Sequence, residues 1–167
     1  GDIVFAFVNY SMLTPGFDEY FPCKFKGDIK VSADDLIVKT KFYFSFMASC
    51  IFNREILFSI NLKEHLGSGW IHLYAVKIIA PMGESLIISE PLVKMHRSGL
   101  QESRNERKSP TNAIDIFMQL HLSLLDFFNT FNESNYSKKT LKFLKNVGWN
   151  DNLNQIISLK LISDSYN

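Results

Sequence analysis

From Lys41 to Phe52 the chain alternates. Phe42, Phe44, Phe46, Ala48, Cys50 and Phe52 share one parity, and Tyr43, Ser45, Met47, Ser49 and Ile51 share the other. A period of two over a dozen residues predicts a long strand with one strongly apolar face. With Phe making up 15 of 167 residues, and Phe favouring strands, the expectation is a β-rich core. A chain of this length holds one full hydrophobic core.

Further strands are expected at Ile3 to Asn9, Ile29 to Val31, Leu36 to Thr40, Ile56 to Ile60, Trp70 to Ile79, Leu86 to Ile88 and Leu92 to Met95, with Tyr20 to Phe25 as a short edge strand interrupted by Pro22. The turns between them are Leu13-Thr14-Pro15-Gly16, Asp34-Asp35, Asn53-Arg54, Gly67-Ser68-Gly69 and Pro81-Met82-Gly83-Glu84. Leu62 to Leu66 reads as one short helical turn. The fold class is thus mainly β: an antiparallel β-sandwich over residues 1–96, with about seven or eight strands.

Residues 97–112 are polar and charged and predict a mobile loop. Beyond them the period changes. Ile114, Phe117, Leu120, His121, Leu124, Phe128 and Phe131 recur every three or four residues, which makes one helical face. A second helix is expected from a Ser137 cap to Val147, ahead of Gly148. Gln155 to Ser163 alternates and is read as a strand returning to the sheet. Residues 113–167 therefore form a helical extension packed on the sandwich. A chain that begins Gly1-Asp2-Ile3, with Gly1 a cloning remnant, reads as a piece of a longer protein.

The formal net charge of +1 gives no global excess for nucleic acid to read, and the aromatics occupy core parity, so no nucleic-acid partner is expected. No apolar run is long enough to span a membrane. Two cysteines, Cys23 and Cys50, are too few for a disulfide framework, and Cys50 is expected to be a buried free thiol. The Asn-X-Ser sequons at Asn9, Asn132 and Asn135 are what an Asn- and Ser-rich composition supplies by chance. The expected setting is cytoplasmic, with membrane association as a further expectation.

No reaction is legible. The histidines have no helical His partner for a metal, Gly67-Ser68-Gly69 leads into no expected helix, and no Gly-X-Ser-X-Gly elbow occurs. The loops offer Asp18-Glu19 and Asp34-Asp35 but no converging carboxylate set for calcium. No cofactor and no catalytic residue are assigned. The charges are more informative. Lys138, Lys139, Lys142 and Lys145 lie on the second helix among Leu141, Phe143 and Leu144, and Lys24 and Lys26 share one face before Gly27. Such basic faces either rest on an anionic membrane or acidic partner, or are simply solvated, as edge-strand lysines often are.

Lys26-Gly27-Asp28-Ile29-Lys30-Val31, the run Lys41 to Phe46, and Ile56 to Leu66 together resemble the C2 domain of the phosphatase-and-tensin family. The resemblance covers residues 20–66 and implies a calcium-independent β-sandwich that docks proteins on anionic membranes. The chain departs from that family in its compressed amino-terminal strands and in the helices after residue 112. The family's catalytic Cys loop has no counterpart here. The expected function is a non-catalytic interaction module of a larger scaffold or regulatory protein, binding a protein partner, an anionic membrane surface or both. The alternative is a complex-subunit or self-assembly domain using the 113–131 helix as its interface, and an enzyme on an unfamiliar fold is more remote. Partner identity and oligomeric state stay open.

Overall fold

A computed structural model of the chain describes residues 2–13, 16, 18–96 and 110–149, with 154 and 157. Its described strands form one mixed four-stranded sheet, not two packed antiparallel sheets. They are β1 (Ile3–Leu13), β2 (Ile29–Val31), β3 (Cys50–Phe52) and β4 (Glu84–His96), in spatial order β2-β4-β1-β3. The described α-helices are α1 (Ala33–Thr40), α2 (Arg54–Ser59), α3 (Ile71–Ile79), α4 (Pro110–Asn129) and α5 (Lys138–Phe143). This corrects the expected C2-like β-sandwich of seven or eight strands. The expected loop at 97–112 lies outside the described residues except at 110–112, which open α4, and the expected return strand at 155–163 lies outside them except at Ile157, which is helical.

β1 forms where expected and runs on to Leu13. Its residues Val4 to Ser11 are all buried, as a central strand requires. It pairs parallel with β4 and antiparallel with β3, while β2 pairs antiparallel with β4. A parallel pair cannot be joined by a hairpin, so the chain between β1 and β4 has to travel away from the sheet and back. That route holds β2, α1, β3, α2 and α3.

Three segments expected as strands are helices. At Leu36 to Thr40 the deciding signal is Ser32. Its hydroxyl accepts from the Asp35 amide at 3.2 Å, and Asp34 and Asp35 sit in the first turn of α1, where the helix dipole favours acids. At Ile56 to Ile60, Asn53 is a helix cap rather than a hairpin turn, accepting from the amides of Glu55 and Ile56 at 3.0 and 3.3 Å. Trp70 to Ile79 becomes α3, whose Leu73, Tyr74, Ala75, Val76 and Ile79 are buried. A short helix wrapped by core is apolar on most sides, so its sequence carries the strand period as well as the helical one.

The long strand at 42–52 is also corrected. Lys41 and Phe42 both take left-handed backbone angles, φ 48° and 64°, which stops α1 and turns the chain. Two 3-10 turns follow, Tyr43–Ser45 and Met47–Ser49, and only Cys50–Phe52 joins the sheet. The aromatics still meet in one core. Phe44 is buried against Phe5, Phe46 lies 4.8 Å from Tyr10, Phe52 lies 5.2 Å from Phe5, and Phe42 meets Phe128 edge-on at 5.1 Å. Tyr43, expected to face away, packs against the same cluster.

The sheet and helices are tied at specific points. Tyr136 donates its hydroxyl to the Lys77 carbonyl at 2.8 Å, and Trp70 donates its indole N–H to the Leu120 carbonyl at 2.9 Å. These two bonds join α3 to the chain around α4 and α5. Ser137 caps α5, and both its amide and its hydroxyl donate to Asp34 at 3.0 Å. A side chain at Gly83 would place Cβ 2.5 Å from Val4 Cγ1, so only glycine lets the turn before β4 approach β1 this closely.

Candidate docking surface

Side-by-side residues in a sheet point to the same face, so the strand registers sort the side chains. On one face stand Val31, Ser85, Phe5 and Phe52, then Ile29, Ile87, Phe7 and Cys50. This face carries the core. α1 contributes Leu36 and Ile37, α2 Ile56 and Leu57, α3 Leu73 and Val76, α4 Phe127 and Phe128, and α5 Leu141 and Phe143, all to a single cluster.

The opposite face carries Lys30, Leu86, Ala6 and Ile51 in one row and Ile88 and Val8 in the next. None of these six belongs to the core cluster. Each described α-helix contributes side chains to the core cluster instead. Ala6 and Val8 are buried in the central strand, Leu86 and Ile88 are half-buried, and Ile51 on the edge strand is 54% exposed. The same edge leads into α2, where Phe58 is 76% exposed with Arg54 stacked over its ring. Met47, just before β3, is 63% exposed. Farther along the strands a register shift between Val8 and Tyr10 reverses the parity, and this face becomes polar. There Ser11 donates to Glu19, and Lys94 pairs with Glu19 at 2.9 Å.

Asn9 sits at that shift. It is 3% exposed, its amide donates to the carbonyls of Cys23 at 3.2 Å and Ser89 at 2.9 Å, and its oxygen accepts from the Tyr10 amide at 3.0 Å. A bulge leaves backbone groups without ladder partners, and Asn9 supplies them. The sequon at Asn9 is therefore closed to modification in the folded chain. Asn132 and Asn135 are exposed.

The lysines singled out from sequence do not form one site. Lys138 opens α5 and pairs with Glu133 at 3.8 Å. Lys139, Lys142 and Lys145 are exposed, while Leu144 beside them is buried in the core. Lys24 and Lys26 are exposed on the irregular segment ahead of β2. The two groups attach to opposite ends of α1: Ser137 binds Asp34 at its start, and the Cys23 thiol meets the Thr40 carbonyl at its end, 3.9 Å away. Eight helical residues separate those ends by roughly 10 Å.

Both cysteines are free. Burial pushes the Cys23 thiol up to about 11 and the Cys50 thiol to about 12, which leaves neither reactive at neutral pH. His72 is held neutral by burial, and its Nε2 lies 2.9 Å from the Ser45 carbonyl. His65 stacks flat on Tyr74, ring centroids 3.7 Å apart. Among the described residues no group of three or more His, Cys, Asp or Glu side chains is placed to hold a metal ion, and no helix is long and apolar enough to cross a membrane.

Sequence reasoning missed the second sheet face, because it read Leu86 to Ile88 as one strand of a sandwich and assigned its side chains to neither face. It also missed Phe127, fully buried beside Phe42 and Tyr74. The expected helix face included its neighbour Phe128, and the double Phe was the available signal. No family model, curated protein or solved structure matches the chain.

Proposed function

We propose that this chain is a non-catalytic interaction module that binds a protein partner, without calcium, through the second face of its sheet. The observation that carries the reading is the one-sided packing: the described helices all cover one face, while Leu86, Ile88 and Ile51 line the other. A sheet face this apolar is stable when another layer covers it, and exposed apolar patches mark interaction surfaces. The charges bordering this face occur in pairs, Lys30 with Glu84 and Lys94 with Glu19. A bilayer of anionic lipid would favour an unbalanced basic border, so the pairing favours a protein. A reducing, cytoplasmic setting accords with two free thiols.

A photo-crosslinking residue at Ile51 tests this. It is expected to give one discrete adduct, while the same residue at Lys39 on α1 gives none. With the captured protein purified, Ile51→Glu should abolish binding and leave the melting temperature unchanged. Equal labelling from both positions, or binding indifferent to Ile51→Glu, refutes the proposal. The second reading is docking on anionic membrane through the lysines of α5 and the turn after it, since Lys139, Lys142 and Lys145 are exposed with no acidic partner among the described residues. Pelleting with anionic vesicles that is lost when Lys138, Lys139, Lys142 and Lys145 all become Glu would favour it instead.

A further inference from the structure

A cleft of about 470 Å³ opens between the end of α4 and α5. Its walls are Phe128, Phe131, Leu141 and Leu144, and its rim carries Asn129 and Lys145. The volume lies in the range that holds a small-molecule ligand, and such sites pair apolar walls with a few placed polar groups. Both polar groups can donate: Lys145 through its ammonium and Asn129 through the NH2 of its amide, which also carries an acceptor oxygen. The Lys145 ammonium and the Asn129 amide are exposed, and neither has a hydrogen-bond or ion-pair partner among the described residues. We infer that this cleft binds an apolar molecule bearing a carboxylate, the hydrocarbon lying against the Phe and Leu side chains and the carboxylate meeting Lys145 and Asn129. The walls suit hydrocarbon because none of their side chains carries a polar atom. The rim suits an anion because it offers a positive charge and a neutral donor, and no acid is among its described lining residues. This site is separate from the sheet face. It also gives the last lysine of the α5 row a role distinct from that of Lys138, which already pairs with Glu133.

The probe is dodecanoate, titrated into the full chain below its micelle concentration and followed by calorimetry and by amide chemical shifts. One equivalent should bind, with shifts centred on residues 128–131 and 141–145. Dodecanol, which keeps the chain and loses the charge, should bind about tenfold more weakly. Lys145→Glu should weaken dodecanoate at least tenfold, and Lys138→Glu should leave it unchanged. Leu141→Trp, which fills the cleft from a half-buried position, should abolish binding. If that variant fails to fold, the exposed Asn129→Asp serves as the second test and should also weaken binding. No saturable binding, equal affinity for dodecanol, binding that survives Lys145→Glu, or binding to anionic vesicles without binding to monomeric dodecanoate would each overturn the assignment.

Discussion

Replacing Asn9 by Leu takes away the bonds its side chain makes to three backbone groups. The Tyr10 N–H and the Cys23 carbonyl are buried; the Ser89 carbonyl is half-buried. A buried polar group left unpaired costs about 1–3 kcal/mol. The Cys23 carbonyl alone puts the loss at about 1–3 kcal/mol, and the half-buried Ser89 carbonyl adds less. That is an appreciable part of the total stability of an ordinary domain, about 5–15 kcal/mol. Urea denaturation should show a lower midpoint at unchanged slope. Asn9→Asp sharpens the test through pH. A protonated Asp keeps the acceptor for Tyr10 and donates to one of the two carbonyls, whereas a carboxylate faces both oxygens with nothing to donate. The folded-state pKa of that Asp must then lie above its ordinary value of about 3.9. The folded state binds more protons than the unfolded one, so stability falls as pH rises through the window above that value. The variant should approach the parent in acid and lose stability towards neutrality. A loss below about 1 kcal/mol in Asn9→Leu, or an Asp variant with the parent's pH dependence, would show that the bulge does not depend on Asn9.

Phe44→Ala should cost about 3–5 kcal/mol, since the ring is 1% exposed and touches Phe5 and Phe42; near-neutral denaturation would contradict the core assignment. Ser85→Ala should leave stability equal or raise it by about 1 kcal/mol, because the buried Ser85 hydroxyl has no hydrogen-bond partner among the described residues; a clear loss in a thermal melt would mean the hydroxyl is satisfied. Burial lowers the His72 pKa below its ordinary value near 6.5. The unfolded state thus takes up a proton first, and stability should fall as pH drops from about 6.5 through the lower folded-state value. His72→Gln should remove that part of the pH dependence, measured by thermal melts across pH 5–8, and an unchanged profile would show that His72 charges freely when folded.

The amino-acid order alone determined those features whose signals are local. Ile3 to Val8, the first part of β1, is continuously apolar, Ser137 stands ready to cap α5, and the three-to-four spacing before Phe131 marks α4. The aromatics of 42–52 announced a shared core because burying rings is favourable in any backbone conformation. Tertiary structure decided what shape that backbone takes. Leu36 to Thr40, Ile56 to Ile60 and Trp70 to Ile79 fit either period, and each became a helix because a capping side chain or a surrounding core satisfied it. The left-handed turn at Lys41 and Phe42 cannot be read from two residues that ordinarily avoid it. The row of Leu86, Ile88 and Ile51 stands outside the core cluster because β4 lies beside β1 while the described α-helices contribute their side chains to the core on the other face. Which face of a strand is covered depends on where distant segments pack, and no local pattern records that.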